Sequence, residues 1–263
     1  MPDKYEMKYK KLIVSGCSFT ENLGSWAYNL SDEYNLELIN LAVPGAGNNH
    51  IVWSLLSYLE RNQVDLETTL IGIMWSHPVR EDYVFEHNYD FEDQSIYKYN
   101  YDCSNRLVML GDLISKDNIK ITKRAPFAEV DYQKKLVSGR RNSSAIAFRT
   151  WSLKNLLTSH LKTKKIDFFQ TAFLNYLTSS ALIKNNTDSD FQKTFSYLVE
   201  LEKINLSSTL DNWIELSDNE YLGDFAFHMK QMHPDKMHPS NLGHKIWTKM
   251  ILIPKLKNIG IVL

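Results

Sequence analysis

The chain has 263 residues, 43% of them hydrophobic and 23% charged, which is the composition of a globular protein with a sizeable core. A net charge of −1 supplies no field for nucleic acid or an anionic membrane surface, so neither partner is expected. No stretch approaches the roughly 20 apolar residues of a membrane span, and two cysteines, Cys17 and Cys103, make no disulfide framework.

In chain order, Lys11–Ser15 reads as a buried parallel strand: short, apolar, β-branched and stopped by Gly16. Val14-Ser15-Gly16-Cys17 superficially matches a lipoprotein cleavage site. The apolar run before it is only Leu12 to Val14, where an export signal needs about 7 apolar residues or more, so a cytoplasmic location is expected. Leu23 to Tyr34 has helical spacing, Leu36–Asn40 a second strand, and Ala42 to Asn49 a loop rich in turn residues. Ile51, Leu55, Leu56 and Leu59 mark one face of a helix, and Thr69–Trp75 is a third apolar strand. Strands alternating with helices predict an α/β fold: three α/β/α layers around a mostly parallel sheet in flavodoxin-like order.

The pattern breaks over 81–143, which is dense in tyrosine and charge but weak in periodicity. This predicts an insertion after the third strand, either a packing subdomain or a cap over a site, within one domain spanning 1–263. Regularity returns with a helix over Ala145–Leu161, a fourth strand at Ile166–Phe173 and a helix around Phe191–Glu202. Ser240 and Asn241 can cap a last helix carrying Leu242, Ile246, Trp247 and Met250.

Ligands of open parallel sheets bind beyond the carboxyl ends of the strands, where strand order reverses. Ser18 lies just past the first strand, Gly45 and Gly47 past the second, and Trp75-Ser76-His77 past the third. Asp235-Lys236-Met237-His238 adds an acid and an imidazole three positions apart, close enough to face each other across one turn. Serine is a poor nucleophile until a base takes its proton, which assigns Ser18 as nucleophile, His238 as base and Asp235 as the group orienting it. An acyl-transfer oxyanion needs N–H donors, and the backbone of Ser18 and Gly45 can supply them. Cys17 is the alternative nucleophile, but neighbouring side chains in a strand-to-helix turn diverge, and Cys17 reads better as a small buried residue. His233, Asp235, His238 and His244 fit no standard zinc spacing, so no metal is expected.

These blocks resemble the SGNH (GDSL-like) hydrolase superfamily of esterases, lipases and carbohydrate acetyl esterases. Gly16-Cys17-Ser18-Phe19-Thr20 is similar to its nucleophile block, Asn40-Leu41-Ala42-Val43-Pro44-Gly45 to its second, and Asp235 to His238 to its D-x-x-H block, with Gly243-His244 as the continuation. The resemblance implies a serine esterase acting on an acyl ester, such as an acetyl ester, of a small or carbohydrate substrate. It implies no cofactor. The family's third block, G-x-N-D, has no counterpart: Gly72 to Pro78 contains no Asn. Ser76, His77 or Asn48 could replace that donor. Trp75, His77 and Arg80 are candidates to face substrate, although for Arg80 pairing with Glu81 or Asp82 is the favoured reading. The altered block also fits a catalytically weak or inactive module that binds a glycan or protein. Oligomeric state is not legible.

Overall fold

The computed structural model describes residues 8–76, 81–85, 106–110, 143–173, 212–217, 219–235 and 238–263. Four parallel strands form the central sheet: β1 (Lys11–Ser15), β2 (Glu37–Asn40), β3 (Thr69–Trp75) and β6 (Asp167–Ala172), in the order β2-β1-β3-β6. The register sets Val14 against Gly72, and Ile71 against Phe168. Between β3 and β6 the chain adds an antiparallel pair, β4 (Glu81–Phe85) with β5 (Arg106–Leu110). The helices are α1 (Ser18–Glu21), α2 (Trp26–Tyr34), α3 (Asn48–Arg61), α4 (Ser143–Thr163), α5 (Leu222–His228), α6 (Asn241–Trp247) and α7 (Ile253–Asn258).

Successive residues of a strand point to opposite faces, so each buried strand feeds two cores. Leu12, Val14, Leu70, Met74 and Phe169 pack on one side with Trp26, Leu30 and Trp247 of the helices. Ile13, Ile71, Ile73 and Phe168 pack on the other with Ile51, Leu55, Leu157 and Leu161. Being covered on both faces is why β1 and β3 read as unbroken apolar runs. Gly72 interrupts β3 for a packing reason. A Cβ there would sit 2.8 Å from Phe169 Cζ and 2.9 Å from Trp26 Cη2. These rings meet edge-on over the glycine, with centroids 5.7 Å apart.

The three-layer architecture and strand order are those expected. Four local expectations change. The helix expected from Leu23 begins at Trp26, because Gly24 takes a left-handed φ of +86° and separates it from the single turn of α1. Leu23 is consequently exposed and off the apolar face. The last helix is not continuous: a wide π turn, Thr248–Leu252, lies between α6 and α7. Pro254, in the first turn of α7, has no N–H for a normal helical bond, and the widened turn accommodates that loss. The aperiodic 81–143 region contains the β4–β5 pair, and α5 was not foreseen. The helix expected around Phe191–Glu202 lies outside the described residues. Among those described, no helix is long and apolar enough to cross a membrane.

Candidate active site

The chain leaves β1 and turns at once into α1, and Gly16 makes that turn possible. A Cβ at Gly16 would meet Thr20 Oγ1 at 2.3 Å, Thr20 Cβ at 2.8 Å and the Met74 carbonyl at 3.2 Å. Cys17 points into the core and is fully buried, as expected of a small structural residue. Its carbonyl accepts the N–H groups of Thr20 (2.9 Å) and Glu21 (3.1 Å), which closes the helical turn. Ser18, next along, faces the other way and is partly exposed.

Thr20 ties this turn to its surroundings. Its carbonyl accepts from Ser25 Oγ (2.7 Å) and Asn40 Nδ2 (2.9 Å), and its hydroxyl accepts from the Trp26 indole N–H (3.1 Å). Asn40 also accepts the Ala42 N–H through its side chain at 3.0 Å. The loop after β2 is thereby laid against the serine turn, and Val43 N–H reaches the Gly16 carbonyl at 3.3 Å. Gly45 lies in that loop with φ +81°, a backbone state glycine adopts freely, and no atom stands within 4 Å of where its Cβ would be. Among the described residues, the backbone N–H groups of Ser18 and Gly45 make no hydrogen bond.

The histidine arrives on a turn between α5 and α6. Ser240 N–H bonds the Gln231 carbonyl and His233 N–H the His238 carbonyl, both at 2.7 Å, and Met232 bridges Pro239. Inside this loop the Asp235 carboxylate grips His238 twice. Oδ1 accepts the His238 backbone N–H at 3.0 Å, and Oδ2 lies 2.7 Å from the ring Nδ1. The other ring nitrogen, Nε2, lies 2.8 Å from Ser18 Oγ. Phe19 lies against the imidazole, ring centroids 5.2 Å apart, and is backed by Phe173 at 4.3 Å. Ser240 caps α6 by accepting the Gly243 N–H at 3.0 Å, so the helix starts directly after the histidine.

Two buried histidines flank these elements. His50 in α3 has its pKa pushed down to about 4 by burial, against a bond to the Leu41 backbone that favours the charged form. His244 in α6 is likewise held down to about 4 by burial and, secondarily, by the charge of His238. Both rings are neutral at pH 7.

Ser18, Asp235 and His238 are thus brought together, with Gly45 in the adjoining loop. The region after β3 departs from expectation. Trp75 is fully buried in the core beside α3 and α4, and its indole N–H donates to Gln170 Oε1 at 3.0 Å, so it does not face a substrate. Its ring follows the inward-facing alternation of β3 rather than the strand end. The backbone N–H of Ser76, one of the candidate third donors, is taken by Asn48 Oδ1 at 2.9 Å. Asn48 is buried too, and its Nδ2 reaches the Ser76 carbonyl at 3.3 Å and Thr150 Oγ1 at 3.2 Å, so it clamps the strand end in place. The Ser76 hydroxyl is buried without a partner among the described residues. His77 and Arg80 lie outside the described residues. Among those described, no cluster of three or more His, Cys, Asp or Glu side chains is placed to hold a metal ion.

Sequence reasoning missed Asn40, Thr20 and Phe19 as organisers of the site. All three lie within the quoted blocks, but which atoms they bond depends on contacts between loops.

No family model matches the chain, and no curated protein matches it in sequence. Among solved structures it is similar to a psychrotrophic esterase, EstA, from Pseudoalteromonas sp., inhibited by monoethylphosphonate: 11% identity, 95% of this chain and 97% of that one covered, TM-score 0.48. It is also similar to a lipolytic protein of the G-D-S-L family from Veillonella parvula, at 13% identity, 96% and 99% coverage and TM-score 0.44. A third similar structure is an acetyl xylan esterase, at 11% identity, 94% and 98% coverage and TM-score 0.45.

Proposed function

We propose that the protein is a serine ester hydrolase in which Ser18 attacks the acyl carbon, His238 moves the proton and Asp235 orients His238. The observation that carries this reading is the unbroken relay from Asp235 Oδ2 to Nδ1 (2.7 Å) and from Nε2 to Ser18 Oγ (2.8 Å). Both steps lie within the reach that proton transfer requires.

The roles follow from the geometry. A carboxylate is an acceptor only, so it selects the tautomer with the proton on Nδ1 and leaves the Nε2 lone pair for the Ser18 hydroxyl. As Oγ bonds to the acyl carbon, its proton passes to Nε2, and Asp235 stabilises the imidazolium that results. The carbonyl oxygen becomes an oxyanion, for which the backbone N–H groups of Ser18 and Gly45 are the donors. Collapse expels the alcohol, which takes the proton from Nε2. Water then repeats the sequence on the acyl-enzyme, with His238 again as base. The substrate class is an acyl ester, such as an acetyl ester, of a small or carbohydrate alcohol, and no cofactor takes part.

Hydrolysis of p-nitrophenyl acetate tests the assignment. Ser18→Ala is expected to abolish turnover above the uncatalysed rate, and equal rates would remove Ser18 from the mechanism. A second reading, a weakly active module that binds a glycan or protein, is favoured by one observation. The Ser76 N–H is already bonded to Asn48, and the usual third-block Asn is missing. A fluorophosphonate probe separates the two: labelling at Ser18 marks a working esterase, and an unlabelled protein marks a binding module.

A further inference from the structure

The carboxylate that holds His238 has a second imidazole beside it. His233 Nδ1 lies 3.3 Å from Asp235 Oδ2, the same oxygen that receives His238 Nδ1. The same His233 Nδ1 also lies 3.4 Å from the Asp235 backbone N–H. One ring nitrogen cannot serve both. With a lone pair it accepts from the backbone N–H, and with a proton it donates to Oδ2. The main chain keeps the two rings in one frame, because His233 N–H bonds the His238 carbonyl at 2.7 Å. The His233 side chain is 58% exposed, so solvent protons reach it.

The geometry points to His233 as a positioning residue that acts on His238 through their shared acid, with its protonation setting how strongly Asp235 supports the imidazolium. This rests on the catalytic reading above. When His233 carries a proton on Nδ1, Oδ2 is shared between two donors, and the positive ring opposes a second positive ring across the same carboxylate. His238 is then harder to protonate and weaker as a base. When His233 is neutral and accepts from the backbone, it does not compete with His238 for Oδ2. The titratable groups that interact across this turn include Asp235 and His238 within it and, from α6, His244, whose buried ring feels the charge of His238.

The test compares wild type with His233→Gln, which cannot be charged, and His233→Lys, which is always charged, by following kcat/KM for p-nitrophenyl acetate against pH. Loss of the nearby cation should move the acid limb to higher pH, and a permanent cation should move it to lower pH. A purely structural His233 would lower the plateau in both variants and leave the limb where it was. The ring-proton NMR resonance of His238 should move in the same opposite senses. That resonance titrates whether or not the protein turns over an ester, so this outcome stays separate from failure of the hydrolase reading, which Ser18→Ala decides. Coincident titrations for the three proteins would overturn the inference.

Discussion

The two halves of the site are built in different ways. The serine turn is part of the core: Ser15, Cys17 and Thr20 are fully buried, and its bonds run to α2, to Asn40 and to the loop after β2. The histidine turn stands at the surface, with Asp235 and His238 side chains 39% and 27% exposed. Its bonds are short-range in sequence, between Gln231 and Ser240, His233 and His238, and Asp235 and His238. The fold therefore fixes Ser18, while a local loop carries His238 to it. Substitutions on the serine side should act through folding, and those on the histidine side through geometry.

The largest effect expected is on the histidine side. Asp235→Asn keeps the shape of the turn but replaces an acceptor-only group with an amide that can also donate, so the imidazole loses its preferred tautomer. Roughly 10³–10⁴-fold should be lost from kcat/KM, and His238→Gln should lose at least as much. The melting temperature should stay nearly unchanged, because the carboxylate is exposed. A large fall in melting temperature for Asp235→Asn would mean that the turn is held by the fold after all.

Acid should expose the buried part of both halves. His50 beside the second-block loop and His244 beneath the histidine turn are each shifted from 6.5 to about 4 in the folded state. The unfolded chain binds these protons more tightly, so stability is complete above about pH 6.5 and falls as pH drops toward 4. The full shift corresponds to about 3 kcal/mol for each histidine. Urea denaturation at pH 7 and pH 4.5 should show the loss. His50→Gln and His244→Gln should each flatten the pH dependence, whatever they cost at pH 7.

On the serine side, Gly16→Ala tests the claim that Ser18 is fixed by packing. The new methyl would overlap the Thr20 side chain and crowd the Met74 carbonyl. Overpacking of this kind costs about 1–3 kcal/mol. The expected readout is a lower urea midpoint, with kcat falling because Thr20 carries Ser18 with it. Full stability with reduced kcat would place the serine turn in the same class as the histidine turn.

Much of this contrast is already visible in the sequence, for physical reasons that differ by region. β1 and β3 are legible because strands buried on both faces leave no polar residue to interrupt them, and Gly16 marks where the first one ends. The Asp235/His238 pairing is legible because its geometry is local. Residues three apart on one turn meet without help from the rest of the chain. Trp75 misleads because a tryptophan at the end of a strand can face either the core or a ligand, and only the sheet's alternation decides. Asn48 and Ser76 could not be separated for a related reason. Their partners come from different elements, and the sequence does not say which of two donors reaches the other first. α5 escaped notice because its 7 residues span too few turns for a 3.6-residue period to repeat.

The smallest effect sharpens the comparison most. Ser240 follows the histidine turn and caps α6, accepting the Gly243 N–H at 3.0 Å. Its backbone N–H closes the turn onto the Gln231 carbonyl, and that bond does not depend on the side chain. Ser240→Ala should therefore remove a cap worth about 1 kcal/mol, seen as a fall of about 2–4 °C in melting temperature. The backbone frame of the turn should survive, so kcat should change by no more than about twofold. A much larger loss of kcat at this small cost in stability would show that the cap holds His238 in register, and His238 would then depend on α6 as Ser18 depends on the sheet.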